Sequence, residues 1–180
     1  VIGGGNTGYT NNVWNSTDGN NWTLLDNTSS FSGVRGRHTS LEYDNKMWVI
    51  GGYGWGSMND VWYSSDGLNW TQATNSASFS ERSRHTSLVY DNKMWVIGRS
   101  GSCEGNYCND VWYSSDGNNW TLATDNASFS SRYDHTSVIY DNRMWVIGGA
   151  HNGNQLNDVW YTTDGSNWTQ ATTEANFTKR

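Results

Sequence analysis

The chain has 180 residues, a formal net charge of -6 at pH 7 and a pI near 5.0. This acidic balance excludes the basic stripe that nucleic-acid binding requires, and no run approaches the roughly 18 apolar residues of a membrane-spanning helix. Mean hydropathy is low at -0.79, but twelve Trp and ten Tyr can build a core from few residues.

A block of about 48 residues recurs along the chain, marked by Trp22, Trp70, Trp120 and Trp168. A repeat of this length with four strand-like stretches is typical of a propeller blade. We predict one continuous array made of a partial blade at 1–32 and blades at 33–80, 81–130 and 131–180. Because the first residues match the middle of a strand in the next unit, we expect the chain to be a portion of a longer polypeptide.

Each unit predicts four strands in chain order. In the third unit they are His85–Tyr90, Met94–Ile97, Asp110–Ser114 and Asn119–Thr124. The turns Asp91-Asn92 and Asp116-Gly117 favour tight hairpins, because Asp, Asn and Gly tolerate a left-handed backbone. Since apolar residues follow period 2 or short runs, no helix is predicted. The unit is therefore an antiparallel four-stranded meander.

Two recurring signatures give the chain its resemblance to a known family. Gly doublets follow an apolar strand at Gly3-Gly4, Gly51-Gly52 and Gly148-Gly149, and a Tyr precedes a Trp at Tyr63/Trp70, Tyr113/Trp120 and Tyr161/Trp168. With these features the chain resembles kelch-repeat β-propellers of the bacterial and galactose-oxidase-like type over essentially its whole length. Gly98-Arg99 and Asn15 depart from the pattern and predict local repacking.

The resemblance implies an all-β propeller with four-stranded blades. Such propellers usually close with six or seven blades, whereas about four repeats are present here. A portion of a larger ring is the preferred interpretation. A four-bladed ring and an assembly of partial rings are the alternatives.

Alternating strand directions place the loops after the second and fourth strands on one face, which is the candidate binding surface. Residues assigned to it are the loop aromatics and the repeated arginines: Tyr9, Trp55, Tyr107, His151, Arg35, Arg82 and Arg132. Aromatic and Arg side chains suit sugar rings or acidic peptides. Arginines that recur in every unit are also expected to hold one blade to the next, whereas Trp55 does not recur and favours a ligand.

Two further groups have a predicted role. His38, His85 and His135 recur at the start of the first strand of each unit, and we expect them to bond neighbouring backbone at the mouth of the channel rather than a metal. Cys103 and Cys108 predict a local disulfide, with free thiols as the alternative, and a disulfide implies an oxidising, extracellular compartment. No metal site and no cofactor are predicted.

Asn-x-Ser/Thr sequons are frequent. They begin at Asn15, Asn21, Asn27, Asn69, Asn119, Asn126, Asn167 and Asn176. Four of them are the same Asn-Trp-Thr in successive units, so these asparagines either carry glycans or serve the adjacent turn, and both interpretations stay open. If the alignment of units is right, the four occupy matching positions on successive sheets.

Enzymatic signatures are weak. Ser64–Trp70 is similar to the Asp-box of sialidase-type propellers, in which the box is a structural turn. No single loop supplies the Tyr, His and Cys set of a galactose-oxidase copper centre, and paired catalytic carboxylates or a Ser-His-Asp arrangement are not evident. We predict a non-catalytic, secreted or cell-surface recognition or adhesion module for glycan or protein partners. The alternatives are a self-assembling, glycosylated extracellular filament and, third, a propeller enzyme of the galactose-oxidase or sialidase type.

Overall fold

The structure is a computed structural model that describes residues 2–4, 8, 10–26, 31, 33–100 and 107–179. Fifteen β-strands form four antiparallel sheets, and these residues contain no helix. Neighbouring strands in each sheet follow chain order, so every sheet is a meander. We call each sheet a blade.

The first blade contains three strands and the others contain four. The first comprises β1 (Ile2–Gly4), β2 (Thr10–Asn15) and β3 (Thr23–Asp26). The second comprises β4 (Thr39–Tyr43), β5 (Lys46–Tyr53), β6 (Ser57–Ser64) and β7 (Thr71–Thr74). The third comprises β8 (Thr86–Tyr90), β9 (Lys93–Ser100), β10 (Tyr107–Ser114) and β11 (Thr121–Thr124). The fourth comprises β12 (Thr136–Tyr140), β13 (Arg143–His151), β14 (Asn154–Thr162) and β15 (Thr169–Thr172).

The first hairpin of each complete blade is a two-residue turn. Asp44 and Asn45 have φ angles of 53° and 54°, and Asp91 and Asn92 have φ angles of 49° and 53°. Both central residues are left-handed, as a type I′ turn requires. The prediction made from the Asp-Asn pairs is therefore confirmed.

The glycine doublet lets the neighbouring linkers approach the second strand closely. Gly51 and Gly52 have φ angles of 55° and 119°, and the β5–β6 register shifts there. A Cβ on Gly51 would lie 3.0 Å from the Arg82 carbonyl oxygen, and one on Gly52 would lie 2.8 Å from Cβ of His38. In the third blade the second glycine is Arg99, whose Nη1 donates to the Glu81 carbonyl at 2.8 Å. That blade is repacked locally and keeps its four strands.

The blades pack face to face through aromatic side chains. A Cβ on Gly117 would overlap the ring of Trp48 from the preceding blade, and Gly165 has the same relation to Trp95. Three hydrophobic clusters lie between consecutive blades. No such cluster joins the fourth blade to the first within the described residues. The predicted all-β propeller with four-stranded blades is confirmed, with three strands in its first sheet.

The linker between two blades is fastened by a buried arginine. The backbone of Arg82 bonds to the second blade, because its N–H donates to the Met58 carbonyl at 2.9 Å and its carbonyl accepts from the Gly52 N–H at 2.9 Å. Its side chain enters the third blade, where Nη2 donates to Oδ2 of Asp110 at 2.8 Å and Nη1 to the Gly98 carbonyl at 3.2 Å. One residue thus joins two blades.

The other two linkers use the same ion pair. Arg35 Nη2 and Asp60 Oδ2 lie 2.8 Å apart, as do Arg132 Nη2 and Asp158 Oδ2. Burial alone would raise the pKa of Asp110, but the Arg82 charge and its hydrogen bonds, together with one from Trp112, hold that pKa below its usual value. The carboxylate is therefore charged in the folded chain at neutral pH.

Histidines join the inner strands near the axis. Nε2 of His85 lies 2.9 Å from Oγ1 of Thr39, and Nε2 of His135 lies 2.8 Å from Oγ1 of Thr86. Each histidine thus bonds a threonine of the preceding blade. The sequence prediction of backbone partners misses these hydroxyl groups.

Burial keeps these histidines neutral. It lowers the pKa of His38 to about 4 and that of His135 to about 3, and nearby arginine charges act in the same direction. The pKa of His85 is also well below its ordinary value, first through burial and then through Arg82. A histidine without solvent cannot accommodate a proton beside a buried guanidinium.

We expect Arg82→Met to lower the free energy of unfolding by about 3–5 kcal/mol, because it leaves the buried Asp110 carboxylate without the cation that donates hydrogen bonds to it. Urea unfolding followed by tryptophan fluorescence measures this. The matched control is Arg84→Met, whose partner is Asp134 in a half-exposed ion pair with side chains 29% and 53% exposed. It is expected to cost less than about 1 kcal/mol. Equal losses in both variants would contradict a special role for the buried pair.

Stability is expected to fall as the pH drops from 7 to 5. The unfolded histidines bind protons near pH 6.5, whereas His38, His85 and His135 stay neutral in the folded chain until the pH reaches their lowered pKa values. The dependence of unfolding free energy on pH should correspond to an uptake of up to about three protons. His135→Gln should remove about one of them, and an unchanged slope in that variant would overturn the assignment.

Candidate functional site

One end of the blade stack carries the linkers and the hairpins between second and third strands. We call this end the loop face, and it comprises the linkers 33–38, 75–84 and 125–134 and the hairpins 53–57 and 151–154. Gly36 and Tyr53 exchange backbone hydrogen bonds of 2.9 and 2.8 Å, which ties a linker to a hairpin. This contact agrees with the prediction, made from the alternating strand directions, that the loops after the second and fourth strands lie at one end of the molecule.

Trp55 projects from the hairpin between β5 and β6. The Gly54 N–H donates to the Gly56 carbonyl at 3.0 Å, so the chain turns tightly around the residue that separates them. The indole is 96% exposed, which makes it the most exposed large hydrophobic side chain that the structure describes. Exposure of this extent leaves the ring available to a ligand.

An arginine and a second aromatic lie beside the same hairpin. The guanidinium carbon of Arg37 lies 5.7 Å from the centre of the Tyr53 ring, a cation–π distance. Arg37 is exposed and Tyr53 is partly so. We call Trp55, Tyr53 and Arg37 the Trp55 patch.

A cavity of about 310 Å³ opens where the inner strands begin. Its lining consists of three consecutive pairs, namely Arg37 and His38, Arg84 and His85, and Asp134 and His135. The Arg84 N–H donates to the Arg37 carbonyl and the Asp134 N–H to the Arg84 carbonyl, both at 3.0 Å. Successive linkers are thereby linked around the axis.

Charge in the axial cavity is unevenly distributed. Nη1 of Arg84 donates to Oδ2 of Asp134 at 2.6 Å, and its guanidinium carbon lies 5.4 Å from the Tyr133 ring centre. The histidines behind them are neutral at physiological pH. Within the described part of the chain, Arg37 is thus the cation of the cavity that forms no salt bridge, and it belongs to the Trp55 patch as well.

The three repeated arginines are not on the candidate binding surface. Arg35, Arg82 and Arg132 are 0% exposed. Their assignment to that surface is wrong, because each guanidinium is enclosed by a carboxylate and a backbone carbonyl. The other interpretation made from the sequence, that they hold one blade to the next, agrees with these contacts.

The predicted loop residues Tyr9, Trp55, Tyr107 and His151 differ in their surroundings. His151 is half-buried, and its Nδ1 lies 2.6 Å from the Ser131 carbonyl, so it holds a linker. Tyr9 and the side chain of Tyr107 lie outside the described residues. Of the predicted loop aromatics, Trp55 is the one that the structure shows fully in solvent.

Several important residues escaped the sequence analysis. The carboxylates of Asp60, Asp110 and Asp158 are the arginine partners, and their signal was recurrence in step with the arginines. Arg37 was also missed. Its position carries Arg in two repeats and Asp in the next, at Asp134, and such a change within a repeat is typical of a surface position.

The repeated sequon asparagines lock the turn between third and fourth strands. Nδ2 of Asn69 donates to Oδ2 of Asp66 at 2.7 Å, and Asn21, Asn119 and Asn167 make the equivalent bond at 2.8 Å. Their predicted matching positions are confirmed. This turn role accounts for their recurrence, and glycan occupancy stays a prediction for the sequons, of which Asn27 lies outside the described residues.

These turns also fix the charge of their aspartates. Hydrogen bonds from Asn69 and Leu68 hold the pKa of the Asp66 carboxyl well below its usual range. Slight burial would raise the pKa of Asp164, but bonds from Asn167 and Ser166 lower it to about 2. The turn aspartates are therefore ionised and internally bonded, which makes them poor ligand groups.

Within the part of the chain that the structure describes, no three His, Cys, Asp or Glu residues are grouped so that they could hold a metal ion. No helix there is long and apolar enough to cross a membrane. The cysteine prediction falls partly outside this region, because Cys103 is not among the described residues.

A comparison with protein families identifies the repeat. The sequence matches the KLHDC2/KLHL20/DRC7 Kelch-repeats domain over residues 1–180. No curated protein matches the chain. The family match covers all four blades described above, so the chain belongs to the kelch-repeat family, whose propellers are protein-binding modules.

Proposed function

We propose that this propeller binds a protein partner through the loop face, with Trp55 as the central anchor. The observation that carries the proposal is the 96% exposure of Trp55 on a tightly turned hairpin. A tryptophan held in solvent on an ordered element loses little conformational freedom when it is covered, and Trp is enriched among residues that dominate binding energy.

The surroundings of Trp55 favour a partner segment that combines an apolar residue with a carboxylate. The apolar residue would cover the indole, and the carboxylate would pair with Arg37 at the axial cavity. The whole chain carries a charge of -6, so a local cation also directs an acidic segment to this place on the molecule. The axial cavity, at about 310 Å³, has room for a side chain rather than a folded element.

A second part of the proposal is an extracellular location, supported by two cysteines, one in the β9–β10 connection and one at the start of β10. Cys108 is 7% exposed within β10, and it is not a free thiol. A disulfide with Cys103 would close this connection at the edge of the loop face. Such a bond persists in an oxidising compartment.

Trp55→Ala is expected to weaken binding by about tenfold or more, because it removes the anchor. The measurement uses short peptides selected from a random phage-displayed library on the immobilised chain, with affinities determined by calorimetry. Selected peptides should be rich in Asp or Glu, and Arg37→Gln should reduce their affinity. Thermal stability should change little in both variants, because neither side chain is part of the core.

Trp22→Ala is the matched control, since this exposed Trp lies on the first blade away from the loop face. It should retain peptide binding. If Trp55→Ala binds the selected peptides as tightly as the unchanged chain, the proposal is wrong. If a glycan array instead gives Trp55-dependent binding and no peptide is selected, the partner is a glycan and the protein proposal fails.

The proposed disulfide is tested by alkylation of the chain in denaturant, with no reducing agent present. Iodoacetamide should label neither cysteine before reduction and both after it, as read by mass spectrometry. Denaturant ensures that burial of Cys108 does not protect a free thiol. Labelling of the unreduced chain would overturn the disulfide and with it the support for an extracellular location.

A further inference from the structure

The hairpin between β13 and β14 contains the one Asn-Gly pair of the sequence, Asn152-Gly153. His151 and Asn154 pair across it, so these two residues form the whole turn. Their φ angles of 49° and 79° are both left-handed, as in a type I′ turn. Asn152 is exposed, and a Cβ on Gly153 would meet no atom within 4 Å. The pair therefore has open space around it at the loop face.

An asparagine side chain reacts with the backbone nitrogen of the residue that follows it. That nitrogen loses its proton to solvent and bonds to the amide carbon Cγ, while the amide nitrogen gains a proton and leaves as ammonia. The product is a five-membered succinimide ring, and water opens it at either carbonyl to give aspartate or isoaspartate. A following glycine favours this attack, because it has no side chain to obstruct the ring and its backbone is flexible.

The atoms that react are available in this hairpin. Among the described residues the Gly153 N–H donates no hydrogen bond, since the ladder closes between its neighbours. Nδ1 of His151 lies 2.6 Å from the Ser131 carbonyl, so it carries the ring proton and Nε2 is the acceptor. Nδ2 of Asn152 donates to this Nε2 at 3.0 Å. The bond engages the nitrogen that leaves and not the carbon that is attacked.

The Asp-Gly turns between third and fourth strands show the opposite arrangement. Asp66 precedes a glycine, but the Gly67 N–H donates to Oγ of Ser64 at 2.9 Å. Oδ1 of Asp66 accepts from the N–H groups of Leu68 and Asn69 at 2.9 and 2.8 Å. Both the attacking nitrogen and the attacked group are thus held, and an ionised carboxylate is a poor electrophile. The glycine bond recurs in the other three turns of this type, at Gly19, Gly117 and Gly165.

The first hairpins of the three complete blades also contain an asparagine. It is the second residue of each turn, and a long side chain follows it at Lys46, Lys93 and Arg143. Lys46 pairs with Tyr43 in the β4–β5 ladder, so the nitrogen after Asn45 belongs to a strand. Asn45 has a left-handed φ of 54°, close to that of Asn152. The two positions therefore differ in the residue that follows and not in the asparagine itself.

We propose that Asn152 is a site of spontaneous deamidation, at which the Gly153 nitrogen attacks Cγ and water completes the conversion to aspartate and isoaspartate. A carboxylate then replaces an amide on the loop face and adds a negative charge there. Since a carboxylate has no hydrogen to donate to Nε2 of His151, this contact persists only if the ring takes up a proton.

The isoaspartate product also changes the backbone. Its main chain is one carbon longer, which a two-residue turn does not accommodate. The hairpin is bonded to the preceding linker, because Tyr133 and Ala150 exchange hydrogen bonds of 3.1 and 2.9 Å. Loosening the turn therefore reaches the linker of the fourth blade.

The test is incubation of the folded chain in mildly alkaline buffer, with digested samples sequenced by tandem mass spectrometry over time. We expect the mass gain of an amide that becomes a carboxyl at Asn152. At Asn45, Asn92 and Asn142 the gain should be at least about tenfold slower, because the attacking nitrogen is held in a strand. These three asparagines are matched controls within the same molecule, so the comparison does not depend on a variant.

Gly153→Asn tests the role of the attacking residue. Asparagine tolerates the left-handed backbone of this position and adds a side chain beside the reacting nitrogen. Conversion of Asn152 in this variant should be at least about tenfold slower than in the unchanged chain. Circular dichroism should show the same β structure in both.

Denaturant tests the contrast with the Asp-Gly turns. In the folded chain isoaspartate should form at position 152 and not at Asp66, whereas in urea it should form at both, because the Gly67 nitrogen is then released. An unchanged Asn152, a rate at Asn45 equal to that at Asn152, or isoaspartate at Asp66 in the folded chain at the same rate would each overturn the proposal. No partner is used in these measurements, so their failure leaves the proposed function untouched.

Discussion

The buried Arg–Asp pair is the interaction on which the rest of the molecule depends. An unpaired guanidinium or carboxylate at this depth would be expensive, so the two groups must meet wherever the chain folds. Because the Arg82 backbone bonds to one blade and its side chain to the next, this requirement fixes where the linker crosses. Packing of Trp on Gly then determines how closely the blades approach. Polar and apolar contacts thus specify the same arrangement at different distances from the axis.

The same constraint builds the candidate site. Two residues after each fastened arginine, the chain takes a left-handed conformation, with φ angles of 56° at Arg37, 57° at Arg84 and 53° at Asp134. These residues line the axial cavity, and a neutral histidine follows each of them. Their side chains can differ between repeats because the arginine two residues earlier holds the linker to both blades. A rigid linker therefore presents a side chain whose charge differs from repeat to repeat, as binding residues on a rigid scaffold do.

Local features of the sequence predicted the fold well, and long-range pairing limited what could be predicted of the site. Asp91-Asn92 and Asp116-Gly117 specify turns within a few residues, so the meander follows from the sequence alone. The burial of Arg82 depends on Asp110, which lies 28 residues further along the chain. The recurrence of both residues in every unit did not show that they contact each other. In the sequence alone, an arginine that pairs with a distant aspartate cannot be distinguished from an arginine that binds a ligand. Trp55 was predictable because it interrupts the repeat at a hairpin, where the fold places no packing demand on it.

The position of Trp55 in the array also has an energetic reason. In a stack of repeats, stability is approximately a sum over blades and nearest-neighbour interfaces, so a blade with two covered faces is held more firmly than one with a single covered face. Trp55 belongs to the second blade, which packs against the first through one hydrophobic cluster and against the third through another. An anchor that must stay ordered in solvent gains from placement on a blade that neighbouring blades support on both faces.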